Sequence, residues 1–312
     1  MTSPRNERGQ AFVLTVVMLT VLLGMTALVL DVGSWFREKR QLQATADASA
    51  LAGAQALPIN SVFATVDALD YAGRNGGGVA ATDIAITSTN QLNDTIAVEA
   101  HKTQPGFFSA LFGVDSVNIH AHAKAIVGPP SQALYVAPMV VFCDHPLILD
   151  CDGSHTPIFG VGTSLPFDPL GAPGAFGMLN LDGGSGTPGT SSESAWILHG
   201  FNKYLPLGGY RSDPGAKFSS TNIQDALSAR IGTVLLFPVY RTLDLQGQNA
   251  TYDIMGWIGF HLESYKVNGN KATLNGYFTE FIAQGILAGS GSGGSGSASP
   301  GTFGVKSIQL IE

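Results

Sequence analysis

The sequence predicts an α+β protein: a long N-terminal transmembrane helix with a soluble extension, a small α+β domain, and then a mainly β domain that is barrel- or sandwich-like. Residues 11–30 are an apolar run without a charged residue, residues 31–57 continue without proline, and segments 83–89, 95–101 and 116–127 alternate apolar and polar side chains. The low charged fraction, 12%, and the 39 glycines are typical of β-rich, loop-rich structure. The predicted boundaries are 1–58 for the helix, 59–127 for the small domain, 128–137 for a linker, and 138–312 for the β domain.

Charge is distributed unevenly along the chain. Residues 1–40 carry five basic and three acidic side chains, whereas the whole chain carries 16 basic and 23 acidic ones. A basic start around an apolar run and an acidic body indicate a membrane-proximal N-terminus and an exported body. No basic face is expected, so nucleic acid is not predicted as a partner.

The apolar run from Ala11 to Leu30 has the length that a helix needs to cross a hydrocarbon core of about 30 Å. A cleaved export signal has a shorter apolar region of roughly 7–15 residues, followed directly by a small-residue cleavage site. Here the charged stretch "DVGSWFREKR" follows, with Trp35 at the place of an interfacial aromatic residue. The sequence therefore favours an uncleaved, single-pass anchor.

The orientation of this anchor is ambiguous by charge alone, because basic residues flank both ends of the run. The long, glycine-rich body that follows favours an anchor in the cytoplasmic membrane, with the N-terminus on the inner side of that membrane and the body exported. Its two cysteines, Cys143 and Cys151, are close in sequence and suit a disulfide in an oxidising compartment, the alternative being two free thiols.

The stretch "REKRQLQATADASALAGAQAL" predicts that the helix continues beyond the membrane. Every even position from Ala44 to Ala56 is alanine, which is the best helix former and a poor strand former. A helix from about residue 11 to 57 is about 70 Å long, and Pro58 is expected to end it. Small side chains make it slender, so that neighbouring helix backbones can approach closely.

These N-terminal residues resemble the TadE/TadG-like proteins of the Flp (tight adherence) pilus system. The resemblance lies in the R-G-Q start, the D-V-G end of the apolar run, the R-x-x-Q-x-x-A-D-A link and the A-L-A-G-A run. It implies a membrane-anchored protein that helps to assemble a pilus or a related envelope structure through helix packing and protein association. Pilus-assembly or envelope proteins, or further copies of the chain, are the implied partners, without a cofactor.

Two departures from related families limit what the resemblance implies. Cleavage of a prepilin type between Gly9 and Gln10 would place Leu14 at the fifth mature position, where processed pilins carry glutamate. A processed filament subunit is therefore the less favoured reading. Larger TadG-type proteins often carry a D-x-S-x-S metal site, and this sequence has no such motif.

The small domain is predicted as a helix near 61–73, two strands around a turn at 90–94, a short helix opened by Pro105 and closed by Gly113, and a strand at 116–127. The apolar stripe of the first helix is expected at Val62, Val66, Leu69 and Ala72. His120 and His122 lie on the polar face of the last strand, with Lys124 beside them. We read them as a solvated strand face and not as a metal site.

The β domain is predicted to contain two short helices and several strands. Thr190 with Glu193, and Thr221 with Gln224, suggest capping boxes, and Gly200 and Gly232 suggest the helix ends. "VNGN" at 267–270 suggests a hairpin turn, and residues 288–301 a flexible Gly/Ser loop.

Catalysis and calcium binding are not predicted for this chain. No G-x-S-x-G, H-E-x-x-H or Walker A pattern occurs, and "DCDG" at 150–153 and "NLDG" at 180–183 lack the other ligands of a calcium loop. The alternative function is a membrane-tethered adhesin that binds a ligand. An exposed aromatic cluster at Trp196, Tyr204 and Tyr210 would favour it.

Overall fold

The computed structural model describes residues 8–148, 151, 157–167, 177–183, 188–213, 217–244, 250–287 and 303–311. The chain forms two compact units. Unit 1 comprises residues 1–126 together with 310–312, and unit 2 comprises residues 127–309. The predicted anchor and the predicted small domain therefore belong to one unit, because the extension of the long helix supplies part of that unit's core.

Helix α1 spans Arg8–Ala54, 47 residues, which corresponds to about 70 Å. Turn residues follow it, and Pro58 lies after the helix has already ended. The alternating alanines from Ala44 to Ala54 are helical, as their propensity predicts, and Ala56 lies in the turn that follows.

Helix α2, Ser61–Arg74, packs against the second half of α1. The side chain of Asn60 caps it by accepting the Phe63 N–H at 3.0 Å. The predicted apolar stripe is wrong at Val62 and Val66, which are exposed, and confirmed at Ala72, which is buried together with Ala64 and Ala68.

The small side chains of α2 face inward because the two helices approach closely. Gly53 marks the closest approach: a Cβ built there would lie 2.7 Å from the Ala64 carbonyl oxygen and 2.5 Å from Ile96 Cδ1. Even an alanine would be too large at position 53, and the buried face of α2 carries only alanines. The larger valines are therefore on the outer face.

Three antiparallel strands complete unit 1: β1 (Ile84–Thr87), β2 (Thr95–Pro105) and β3 (Ser116–Gly128). The predicted alternation in β3 is confirmed, since Ile119, Ala121, Ala123 and Ala125 are buried. At the C-terminus, the Ile311 N–H donates to the Lys124 carbonyl at 2.8 Å.

The loop between β2 and β3 differs from its prediction. Pro105 ends β2 and does not open a helix, and the only helical turn in this loop is the 3-10 turn Ser109–Phe112. Gly113 closes that turn with a φ of 83°, as expected for a C-terminal glycine. The loop is held shut at its base by the Gly106 N–H, which donates to the Asp115 carbonyl at 2.9 Å.

In the part of unit 2 that the structure describes there are two α-helices, one 3-10 turn and most of the strands. The helices are α3 (Thr190–His199) and α4 (Thr221–Arg230). In chain order, the strands are β4 (Pro130–Ala133), β5 (Val141–Phe142), β6 (Gly162–Phe167), β7 (Leu205–Pro206), β8 (Gly208–Arg211), β9 (Val234–Asp244), β10 (Thr251–Asn268), β11 (Lys271–Thr279), β12 (Phe281–Ile282), β13 (Gly285–Leu287) and β14 (Val305–Leu310).

The main sheet of unit 2 has the order β5-β9-β10-β11-β6, with β8 also paired to β10. The described strands form a half-barrel, and the α+β class is confirmed. Strands β10 and β11 are joined through the predicted turn, in which Asn268 faces Lys271. The Gly/Ser loop 288–301 lies outside the described residues.

Strand β10 lies between two apolar clusters of unit 2. Ile254 and Trp257 belong to one cluster, and Met255, Ile258 and Phe260 belong to the other. The pairing register with β9 shifts near Ile254, which turns Trp257 to the same side as Ile254. Both faces of this strand are thus buried, in agreement with its nearly continuous apolar sequence.

The predicted linker 128–137 is not an irregular connection. Strand β4 lies within it and pairs with both β13 and β7 in a three-stranded sheet. The Pro130 carbonyl also accepts the indole N–H of Trp257 at 3.2 Å. The two prolines suggested a linker, but Pro130 stands at the first residue of a strand, where a missing N–H is tolerated.

The two predicted capping boxes are also wrong. Gly189 and Ser220 are the N-cap residues, and neither makes a side-chain cap. The Glu193 carboxylate lies instead 3.1 Å from Lys217 Nζ, and Gln224 Nε2 donates to the Phe218 carbonyl at 3.0 Å. The predicted stop at Gly200 is confirmed, with its N–H bonded to the Trp196 carbonyl.

Candidate assembly surface of the N-terminal helix

The first half of α1 exposes almost all of its large apolar side chains. Its apolar window has a mean hydropathy of 2.6 and no buried residue. A core helix of a soluble protein would be mostly buried. The exposed side chains, each 46–71% accessible, are Phe12, Val13, Leu14, Val16, Val17, Met18, Leu19, Val21, Leu22, Leu23, Met25, Leu28, Val29 and Leu30.

The cost of leaving this surface in water is large. At about 1.5 kcal/mol for each large apolar side chain, it is on the order of 20 kcal/mol. This exceeds the net stability of a typical domain, about 5–15 kcal/mol. The segment therefore requires a lipid or protein environment.

Three hydroxyl groups inside the apolar segment are satisfied by the helix itself. Thr15, Thr20 and Thr26 each donate to the carbonyl four residues earlier, at 2.9 Å. Such back-bonding removes the need for water. The polar residues of the segment are thus compatible with a membrane-spanning helix.

The predicted end of the membrane segment, Leu30, is followed by an abrupt change to burial at Asp31. Its carboxylate accepts three consecutive backbone N–H groups, from Phe107 at 3.2 Å, Phe108 at 2.8 Å and Ser109 at 2.6 Å. The sequence suggested Asp31 only as the end of the apolar run. Its partners lie more than 70 residues away, and local patterns do not reveal them.

Polar side chains further along α1 attach the helix to the sheet and to α2. Lys39 Nζ donates to the His120 carbonyl, and Gln43 Nε2 donates to the His122 carbonyl at 2.8 Å. Thr45 Oγ1 donates to the Asn75 carbonyl at 2.6 Å. These bonds fix the second half of α1 as a structural part of unit 1.

Trp35, predicted as an interfacial residue, is half-buried, and its indole N–H donates to the Pro105 carbonyl at 3.4 Å. The interfacial role stays a prediction. Gly9 and Gln10 lie in the first turn of α1, and their processing also stays a prediction.

The histidines of the sheet form a small cluster on β2 and β3. His101 and His120 face each other, with their Nδ1 atoms 2.8 Å apart. Among the residues that the structure describes, no group of three or more His, Cys, Asp or Glu side chains is arranged to hold a metal ion. Such a close nitrogen pair is a hydrogen bond between one donor and one acceptor ring.

The cysteine pair of unit 2 forms a disulfide. Cys143 and Cys151 are bonded, with their Cα atoms 4.9 Å apart, and Cys143 is buried in an apolar cluster. Asp150, Asp152 and Gly153 lie outside the described residues. The second calcium-like segment forms a turn in which the Asn180 side chain accepts the Asp182 N–H at 3.2 Å.

A buried ionic cluster in unit 2 was not apparent from the sequence. Lys217 Nζ lies 3.1 Å from Glu193 and 3.2 Å from Asp213, and neither carboxylate is exposed. Burial raises the pKa of the Asp213 carboxyl, although the nearby Lys217 charge opposes this shift. The cluster ties α3 to the segment preceding α4.

The three aromatic residues considered for ligand binding do not form one exposed cluster. Trp196 is half-buried and packs edge-on against Phe201, with ring centroids 5.4 Å apart. Tyr210 is also half-buried, and its hydroxyl donates to the Pro206 carbonyl at 2.6 Å. Of the three, only Tyr204 is exposed.

Comparison with known proteins bears on the N-terminal helix alone. Residues 9–56 match the family model described as "Putative Flp pilus-assembly TadE/G-like". No curated protein and no solved structure matched the chain. The resemblance is thus confirmed over residues 9–56, and together with the exposed apolar helix it fits a membrane-anchored protein.

Proposed function

We propose that this chain is a single-pass membrane protein that serves as a structural or assembly component of a Flp-type (Tad) pilus or a related envelope structure. One observation carries the proposal. The matched segment is a single helix whose first half is apolar and exposed, and whose second half is bonded into a folded unit. Such a helix couples a membrane position to a body outside the bilayer.

The proposed mechanism is association without catalysis. Four alanines of the helix extension, Ala46, Ala50, Ala52 and Ala54, are buried within unit 1, so they are not free to pack against another chain. Contacts with other pilus-assembly or envelope proteins, or with further copies of the chain, therefore use the apolar segment and the outer surfaces of the two units. No cofactor and no nucleic acid is part of the proposal.

The proposed location is the cytoplasmic membrane, with the N-terminus inside and the body exported. The disulfide between Cys143 and Cys151 supports export, because disulfides persist in oxidising compartments. A membrane-impermeant maleimide applied to spheroplasts tests the orientation. We expect Leu92→Cys to react in spheroplasts and Ser3→Cys to react only after lysis, and the reverse pattern contradicts the orientation.

Retention of the helix is supported by the core of unit 1. Cleavage near Ala52 would remove Leu42, Ala46 and Ala50, all of which are buried. A folded unit 1 is not expected without them. The anchor is therefore also a structural element of the folded body.

Mass spectrometry of the N-terminus from the membrane fraction tests this directly. A start at Met1 or Thr2 supports the anchor. A start at Gln10 assigns the chain to processed filament subunits, and a soluble product starting near Ala52 contradicts anchoring altogether.

A matched pair of variants tests whether the apolar segment holds the protein in the membrane. Leu19→Arg combined with Leu22→Arg places two charges near the centre of the segment, at about 2.5–3.5 kcal/mol each. We expect this double variant to be lost from the alkali-resistant membrane fraction. Leu92→Arg, at an exposed turn, is expected to remain in that fraction.

Association is tested by a photo-crosslinking residue in place of Leu22, with the same residue in place of Leu92 as the control. Adducts of defined mass at Leu22 alone support helix-mediated assembly in native membranes. Absence of adducts at Leu22 contradicts assembly through the helix. It does not bear on anchoring, which the fractionation experiment tests separately.

A further inference from the structure

The loop between β2 and β3 presents an apolar surface that unit 1 does not cover. From Gln104 to Val114 it contains no charged residue. We call residues 106–114 the apolar loop. Its exposed large side chains, with Leu111 the most exposed at 83%, are Phe107, Phe108, Leu111, Phe112 and Val114.

The backbone of the apolar loop satisfies many of its own polar groups. The N–H groups of Leu111, Gly113 and Val114 donate to carbonyls within the loop at 3.0–3.1 Å, and the Ser109 hydroxyl donates to the Val114 carbonyl at 3.0 Å. A Cβ at Gly106 would lie 2.6 Å from the Val114 carbonyl oxygen, which shows how tightly the loop closes. Internal bonding of this kind suits a backbone that has little access to water.

The position of the apolar loop is fixed by Asp31. This carboxylate follows the last residue of the apolar segment and accepts the N–H groups of Phe107, Phe108 and Ser109. Trp35, one turn further along α1, bonds to Pro105 at the base of the loop. The loop therefore lies beside the end of the predicted membrane span.

Strand β2 runs from this end of unit 1 to the opposite end. Near the loop, Lys102 pairs with Glu38, whereas at the start of β2 the Ile96 side chain lies beside Gly53. The strand has 11 residues, about 36 Å at roughly 3.3 Å per residue. The turn that contains Leu92 is therefore remote from the membrane span, although Leu92 is also highly exposed.

We propose that the apolar loop inserts its phenylalanine and leucine side chains into the lipid interface next to the anchor. The partner is the surface of the bilayer that α1 crosses. The loop's apolar surface adjoins the exposed apolar surface of α1, and phenylalanine and leucine are among the side chains that interfacial segments bury at the boundary between headgroups and acyl chains. This inference rests on the proposed membrane anchoring, and it assigns unit 1 a second contact with the same membrane.

The experiment uses the full chain in vesicles of phosphatidylcholine and phosphatidylglycerol. A single environment-sensitive NBD label is attached to Leu111→Cys in the loop, Leu92→Cys at the remote turn, or Leu22→Cys in the anchor. The native cysteines are joined in a disulfide and do not compete for the label. Lipids that carry a nitroxide near the headgroup or in mid-chain then quench the fluorescence of labels within reach.

We expect the Leu111 label to be quenched most by the headgroup-proximal nitroxide, and the Leu22 label most by the mid-chain nitroxide. The Leu92 label, which has the same chemistry and similar exposure, is expected to stay unquenched. Quenching at Leu111 should not change when the protein-to-lipid ratio is lowered. A label at Phe112→Cys should repeat the Leu111 result if one substitution perturbs the loop.

The results at Leu111 and Leu22 separate the two proposals. An unquenched Leu111 label beside a quenched Leu22 label overturns loop insertion and leaves anchoring intact. A blue-shifted but unquenched Leu111 label means that another protein chain covers the loop, which also overturns insertion. A quenched Leu111 label beside an unquenched Leu22 label supports the loop's lipid contact and contradicts the anchor.

Discussion

The two halves of helix α1 differ in what surrounds their side chains. Residues 11–30 carry large apolar side chains that are exposed, whereas residues 31–54 place small residues such as Ala46, Ala50 and Gly53 in the core of unit 1. A continuous helix thus passes from one environment to another at Asp31. The comparison teaches that large side chains mark the exposed apolar half of the helix, whereas small ones permit a close helix–helix contact.

The largest expected effect comes from enlarging a glycine in the buried half. Gly53→Val places atoms within about 3 Å of the Ala64 carbonyl and Ile96, and overpacking of this kind costs about 1–3 kcal/mol or more. We expect faster hydrogen exchange in α2 and β2, measured by mass spectrometry in detergent. Gly24→Val is the control, because a Cβ at Gly24 meets nothing within 4 Å. Equal effects at both glycines would contradict the comparison.

A somewhat smaller effect is expected at the boundary between the halves. Asp31→Ala leaves three backbone N–H groups without their acceptor, at a cost of about 1–3 kcal/mol. We expect increased exchange at Phe107, Phe108 and Ser109, with little change in α2. Asp31→Asn keeps one acceptor oxygen and should have a weaker effect. Unchanged exchange in the loop would show that Asp31 does not hold it.

The opposite end of β2 supplies a pH-dependent comparison. Asp94 accepts N–H groups from Thr89, Asn90 and Gln91 at 2.7–2.9 Å. Burial raises the pKa of the Asp94 carboxyl, but these bonds, together with the Thr95 hydroxyl, outweigh it and hold the pKa below its usual value.

A lowered pKa in the folded state stabilises the fold above the unfolded-state pKa, and this stabilisation is lost as the pH falls through the folded-state value. From about pH 4 downward, we therefore expect exchange at Asn90 and Gln91 to rise a few-fold more than the intrinsic rate change. Asp94→Asn should remove this pH dependence. Its persistence in the variant would assign it to another group.

The smallest effect is expected on the outer face of α2. Val66→Ser changes an exposed side chain and should alter the free energy of unfolding by less than about 0.5 kcal/mol. Ala68→Val, two residues away on the buried face, should cost more than about 1 kcal/mol. Thermal unfolding of the two variants in detergent compares them. The reverse order would restore the stripe that the sequence pattern predicted.

Three features of the structure differ from the sequence-based predictions for a common physical reason. The stripe on α2, the capping role of Glu193 and the linker at 128–137 were all inferred from patterns within a few residues. In each case a distant partner decided the outcome: the close approach of α1, the charge of Lys217, and the pairing of β4 with β13 and β7. Tertiary contacts override local propensity at such positions.

The candidate surface was predictable in part. Composition and length were enough to locate the apolar segment, because spanning a bilayer requires about 20 apolar residues in a row. The apolar loop was read only as a short helix, although its phenylalanines are plain in the sequence. The proposed membrane contact of this loop depends on its position beside the end of the span. That position is set by the hydrogen bond from Phe107 to Asp31, which are 76 residues apart in the sequence.

The sequence by itself determined the helix, its apolar first half, the alternating strands and the local cysteine pair, since each depends on residues near one another in the chain. Only the tertiary structure decided which face of α2 is buried, what Asp31 binds and where the apolar loop lies. Those features depend on how closely two backbones approach and on partners far apart in sequence, and neither quantity is encoded in local periodicity.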